Sequence, residues 1–446
     1  MRTAILACLL TTTIHAACGD DGPSKVPPRV IPGGGIGDGP IDGVVNVYAI
    51  DDATREPVAG ATVVVETPRG DVEGTTDDTG LFIAEVSDAV ETVTVKADPY
   101  RPEMWVGANG ANMTFNLEKA SEPVAPRASL MGSIDLTSIQ VPQGHLKLAI
   151  VFYSQTDDLG DPENEIVTAN DTHVCNGGTM GNPMPCNFTI DVRPGKVGLL
   201  AAVYDRNLNN TPTNPNDDTM TLIRWAYRGG ITVTAGVSQS GQDLTLVDVG
   251  MMGNVTVDFG SPPSSLATQG ALIGLETGTD GVFQLPLFRT PADATLLAPK
   301  PAAVGGTAYR LTAIANNATT SGTTPVTQET IVLRRGLSGA TLAAGTWLAV
   351  PEDTLGITRG FNEWKAVPDA TVMSLEFTQG TAKVLNVTSF DGTTSFVVPD
   401  IVALPAGALT VKLNAISAPG FDVTDFSLDE DEDKLDRVSS RTFTLD

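Results

Sequence analysis

A chain of 446 residues that is 41% hydrophobic and 18% charged can bury several cores, which excludes wholesale disorder and predicts about three or four units of ordinary size. Its 53 acidic against 27 basic residues leave a formal net charge of -26, which repels phosphate backbones and anionic lipid surfaces and makes nucleic acid a poor partner. That charge has two readings, solubility in an exposed compartment or an acidic ligand-binding surface.

The first stretch, MRTAILACLLTTTIHAAC, reads as an address. Arg2 opens it, an apolar run from Ala4 to Ile14 follows, and small residues Ala16 and Ala17 precede Cys18. The run is too short to span a bilayer, which takes roughly 20 apolar residues. Ala16, Ala17 and Cys18 resemble the lipobox of bacterial lipoproteins. That resemblance implies cleavage after residue 17, diacylation of Cys18 with palmitate-type chains, and residence at the outer membrane or cell surface of a Gram-negative bacterium. The other reading is an ordinary secretory leader that leaves Cys18 as a plain thiol. Residues 18–43, with Pro23, Pro27, Pro28, Pro32, Gly33, Gly34, Gly35 and Pro40, predict a flexible tether with almost nothing to bury.

From residue 44 the pattern is β throughout. In the first region, 44–118, VVNVYAI, ATVVVE, LFIAE, ETVTVKA and NMTFNL are β-branched runs between Gly, Pro and Asp, the mark of successive short strands. Pro57, Val58, Gly60, Ala61 and Val63, then Thr75, Thr76, Asp77, Gly80 and Phe82, resemble the carboxypeptidase regulatory-like domain, a transthyretin-like β-sandwich that is not itself catalytic. The physical demands fit the pattern: Pro57 fixes φ before a strand, Gly60 and Gly80 turn the chain, and Asp77 caps its own turn.

The second region, 126–250, carries seven candidate strands, a number that suits one sandwich: SLMGSIDL, KLAIVFYS, NFTIDV, KVGLLAAVYD, TLIRWAYR, ITVTA and QDLTLVDV. Cys175 and Cys186 enclose a Gly- and Pro-containing loop, which in an exported chain predicts a disulfide; a metal site would need more ligands than His173 supplies. In DRNLNNTPTNPNDD, Asp205, Asn207 and Asn209 stand at alternate positions like the first ligands of a calcium loop, and Asp217 and Asp218 could close it. The same residues also build a plain long hairpin turn, so calcium and turn remain alternatives.

The third region, 251–339, repeats the strand rhythm in NVTVDFG, ALIGLET, GVFQLPLF, AYRLTAIAN and ETIVLRRG. In the last region, 340–446, Trp364, Pro368, Ala370, Leu404, Pro405, Gly407 and Val411 resemble a fibronectin type III domain, with Leu409 where that family carries a buried tyrosine. The acidic run at 429–433 predicts a solvated loop before the final strand. The fold class expected is therefore all-β, tandem immunoglobulin-like and transthyretin-like sandwiches behind a lipoprotein leader.

Catalytic patterns do not emerge. Beyond the leader the histidines are His145 and His173, no serine stands in a nucleophile elbow, and neither a zinc-protease helix nor a phosphate-cradling loop is present in the sequence. Trp105, in PEMWVGANG, reads as a loop residue and is the candidate for stacking on a sugar ring, whereas Trp225, Trp347 and Trp364 fall in strand-like stretches and predict core packing. Two functional classes follow. One is a surface-anchored adhesion or scaffold lipoprotein contacting another surface protein. The other is an accessory protein binding polysaccharide or peptide for separate hydrolases.

Overall fold

The computed structural model describes residues 27–86, 89–120, 126–156, 172–179, 182–209, 218–285, 290–318, 325–352, 356–390 and 392–446. The leader, Cys18 and Asp217 lie outside the described residues. The architecture is all-β: strands run from Gly35 to Leu445, and among the described residues one α-helical turn, Leu428–Asp431, joins them. Among the described residues no helix is long and apolar enough to cross a membrane.

The first region begins earlier than its composition predicts. Ile31 and Ile36 are buried, and the strand Gly35–Gly37 pairs with both Asn112–Leu117 and Phe426–Ser427. Residues 27–43 are therefore not a free tether: two isoleucines in a Pro/Gly tract bury enough surface to dock it. The predicted turns are in place. Gly60 and Gly80 hold φ of +74° and +75°, and Asp77 Oδ1 accepts from the backbone N–H groups of Thr79 (2.8 Å) and Leu81 (3.1 Å). A side chain at Gly80 would also meet the Ala49 carbonyl oxygen at 2.7 Å.

In the second region the sheet centred on His145–Gln155, Gly195–Asn207 and Thr219–Val233 faces the pair Ala128–Ile134 and Cys186–Val192. TLIRWAYR and ITVTA are one strand rather than two, running Thr219–Val233 through Gly229 and Gly230. The disulfide Cys175–Cys186 forms as the spacing predicts and joins the edge strand Thr172–Asn176 of one sheet to the strand Cys186–Val192 of the other.

The four apolar clusters follow the four regions, and three of them borrow residues from another region. Leu200 and Trp225 of the second region sit in the third region's core, where Tyr227 meets Phe283 edge-on at 5.4 Å. The backbone joins there too: Val282 N–H donates to the Thr156 carbonyl (3.1 Å) and Gln284 N–H to Ser154 Oγ (2.9 Å).

A 12-stranded sheet then passes through three regions. It starts at Val282–Gln284 in the third region and reaches the last region where the final strand, Arg437–Leu445, pairs with Gln328–Leu337 on one side and Leu409–Ser417 on the other. It enters the first region where Ala382–Ser389 pairs in parallel with Glu103–Val106, and it ends at Val72–Thr75. The strand Thr341–Ala343 pairs with Met252–Asp258, so the third region's sheets extend past residue 339.

The acidic run is solvated as expected at Asp429, Glu430 and Asp433, but Leu428–Asp431 forms a helical turn rather than a loop, in which Asp431 Oδ2 accepts from the Ser427 N–H (3.0 Å) and Asp431 Oδ1 pairs with Lys434 (2.7 Å).

The cross-sheet disulfide closes a segment with a sequence separation of 11. The chain-entropy account values such a closure at about 3 kcal/mol. We expect the double variant Cys175→Ser/Cys186→Ser to lose stability of that order in urea denaturation under oxidising conditions; an unchanged midpoint would refute it.

Candidate functional site

The parallel pairing of Glu103–Val106 with Ala382–Ser389 sets Glu103 beside Asn386 and Trp105 beside Thr388. The next strand places Ser374 opposite Thr388. Because side chains alternate across a strand, these residues share one face of the sheet. The first region stands at one side of that face. The segment from Ile416 to Asp431 stands at the other. Between them lies a cleft of about 600 Å³, a size that suits a small ligand.

The inner end of the cleft is ionic. Arg101 Nε and Nη2 donate to Glu103 Oε1 at 3.0 and 2.7 Å, and Nη2 also meets Glu118 Oε2 at 3.1 Å. Asn386 Nδ2 donates to Glu103 Oε2 (2.8 Å) and Lys383 Nζ to Glu118 Oε1 (2.7 Å), so the network crosses from the first region to the last. Burial pushes the Glu103 carboxyl up to about 7, against the pull of Arg101 and Asn386.

The apolar wall is aromatic. Trp105 stacks on Phe115 with ring centroids 4.0 Å apart and meets Phe390 edge-on at 5.7 Å, and Phe426 packs against Phe390 at 5.7 Å and Phe421 at 4.6 Å. This corrects the sequence expectation for Trp105. It lies in a strand, not a loop, and is 6% exposed, with Phe115 against its ring. Pro99, Pro102 and Gly107 disguise the strand, because they break up its pattern on both sides. Trp225 and Trp364 are buried as expected, and Trp347 packs on the third core.

At the mouth, Arg55 Nη1 donates to Asn116 Oδ1 (2.8 Å) and Asp52 Oδ1 (3.3 Å), while Nη2 donates to Asp429 Oδ1 (3.2 Å). Sequence patterning does not single out Arg55, Arg101, Glu103 or Glu118. Their partners lie up to 374 residues away, and no local spacing announces them.

The proposed calcium ligands have protein partners. Asp205 Oδ1 accepts from His145 Nδ1 (2.7 Å), Asn207 Oδ1 accepts from the Asn209 N–H (3.0 Å), and Asp218 Oδ2 accepts from Arg206 Nε (2.6 Å). Antiparallel pairing of Gly195–Asn207 with Thr219–Val233 flanks the segment, and residues 210–217 between them lie outside the described residues. Among the described residues no group of three or more His, Cys, Asp or Glu is placed to hold a metal ion.

No protein-family model matches the sequence, and no curated protein matches it. Similarity to solved structures is remote. The Bacillus anthracis TIE protein is 9% identical over 61% of this chain and 45% of its own, with a TM-score of 0.14. A DUF3823 family protein from Bacteroides uniformis is 10% identical over 44% of this chain and 100% of its own, with a TM-score of 0.14. The full-length major pilin SpaD from Corynebacterium diphtheriae is 10% identical over 68% and 97%, also with a TM-score of 0.14. This chain spans less than half the length of the TIE protein, and at these scores the likenesses assign neither family nor function.

The raised Glu103 carboxyl has a signed consequence. The folded state holds this proton more tightly than the unfolded chain, whose glutamate titrates near 4.5, so stability falls as pH rises from about 4.5 to about 7 and then levels off. That shift corresponds to about 3 kcal/mol. In Glu103→Gln the dependence over this window should flatten relative to the parent, as read by denaturant titrations at pH 4.5 to 8. Parallel curves for the two proteins would exclude a titrating Glu103.

Proposed function

We propose that this chain is a non-catalytic surface scaffold of a Gram-negative cell, held to the membrane by acylated Cys18 and contacting another surface component through its loops and sheet edges. The observation that carries the reading is the continuity of the 12-stranded sheet, which ties the first region to the last two and leaves one extended β surface rather than beads on a string. Such a body suits presentation, because a partner meets fixed geometry without an ordering cost. The anchor adds position. Eight residues, 19–26, lie between Cys18 and Pro27, the first described residue, so the anchor point lies within about 30 Å of it, a much shorter reach than the 26-residue tether expected from composition.

Both histidines outside the leader have protein partners. His145 Nδ1 is held by Asp205 at a strand start, and His173 Nδ1 lies 3.0 Å from the Thr189 carbonyl oxygen, where it donates along a strand edge. The accessory polysaccharide reading is the alternative: Phe115 stacks on one face of the Trp105 ring, which is 6% exposed, so a sugar would reach this tryptophan only through the cleft it lines.

The anchor is tested by expressing the full chain and Cys18→Ser in a Gram-negative host and separating membrane from soluble fractions. We expect the parent in the membrane fraction with an acylated first residue by mass spectrometry, and the variant in the soluble one. A parent that is soluble with a free thiol at position 18 would end the proposal.

A further inference from the structure

The cleft between the first and last regions differs from a packing defect in how its charge is distributed. Its wall is apolar, built from Ile416, Phe421 and Phe426 with Val372 and Trp105 beside them. Its cations are already engaged. Arg101 is held by Glu103 and Glu118, and Arg55 at the mouth is held by Asp52, Asn116 and Asp429. At the mouth one guanidinium therefore faces two carboxylates, and the side chains of Asp52 and Asp429 are 47% and 49% exposed. An anionic head group arriving there would meet both carboxylates and would have to break existing ion pairs. A neutral polar ligand would gain no charge interaction. A cation carried on an aliphatic stem satisfies both ends, since the stem covers the partly exposed Ile416 and Phe421 side chains while the head stays hydrated beside Asp52 and Asp429. The exposed mouth keeps the desolvation cost of that head low.

We propose that this cleft is a binding site for a primary ammonium on an aliphatic stem, the chemistry shared by a lysine side chain and an alkylamine. Occupancy would bridge the two regions, because Asp52 belongs to the first region and Asp429 and the apolar wall to the last. This inference is independent of the anchor, so it is tested on the full chain carrying Cys18→Ser in detergent-free solution.

The experiment is a calorimetric titration at pH 7 with n-octylamine, octanoate and methylamine, each below its aggregation range, on the parent site and on Asp52→Asn/Asp429→Asn. We expect saturable binding of one octylammonium, at least tenfold weaker binding of octanoate and of methylammonium, and at least a tenfold loss in the double variant. Both substituted side chains are half exposed, and circular dichroism and the melting temperature verify that the variant stays folded. Competition by Nα-acetyl-lysine methylamide would assign the site to a lysine-bearing segment. Failure of that compound alongside octylammonium binding would assign it to a free amine. Octanoate binding as tight as octylammonium, an unaffected double variant, or no saturable binding of octylammonium would each overturn the proposal.

Discussion

The rest of the molecule depends on four parallel residue pairs, Glu103–Asn386 to Val106–Ser389. Parallel pairing is slightly weaker per residue than antiparallel pairing, and four pairs alone would not hold two sandwiches together. What holds them is what the pairing brings along. Val372, Phe390 and Phe426 complete the first region's core, while Met104 and Val106 of the first region complete the last region's core. Each side of the junction is thus an incomplete sandwich without the other. Rigid docking follows from shared cores rather than from a conventional interface between finished domains.

The same pairing explains why charge lies buried at the junction. The strand Glu103–Val106 is fully buried, so Glu103 must go inside, and an uncompensated carboxylate there would be costly. Arg101, two residues earlier, points to the same face and meets it, and Asn386 takes the remaining oxygen. Ion pairs of this kind add little net stability beyond an apolar replacement. Their effect here is register. A slip of one residue would turn Glu103 and Trp105 to the opposite face and separate Glu103 from Arg101 and Asn386.

Strands, turns and the disulfide were legible in the sequence because each is written locally. Alternating β-branched residues mark Thr62–Glu66 and Thr92–Lys96, a glycine with positive φ marks each of the turns at Gly60 and Gly80, and two cysteines 11 apart marked the bridge. The errors share one physical cause, which is that burial was decided by a distant partner. Residues 31–37 look like a linker until Asn112–Leu117 and Phe426–Ser427 cover them. Trp105 looks exposed until Phe115 and Phe390 close over it. The run at 429–433 looks like a loop until Arg55, Ser427 and Lys434 hold Asp429 and Asp431 in a helical turn. The candidate cleft was illegible for the same reason, since its two walls come from opposite ends of the chain.

Connectivity makes this arrangement cooperative. The final strand is the hinge of the whole sheet: Arg437–Arg441 pairs with Gln328–Val332 in the third region, and the full length of Arg437–Leu445 pairs with Leu409–Ser417 in the last. Until those last residues are in place, the third and last regions share no continuous ladder. Closing so many non-local pairings costs loop entropy before any burial repays it, which favours a slow and collective assembly over independent folding of each region. A cleft formed by such an assembly exists only when the first and last regions are docked, so its walls report on the integrity of the entire sheet. A ligand that touches both walls would therefore act on the junction itself, adding its binding free energy to the contacts that keep the two ends of the chain together.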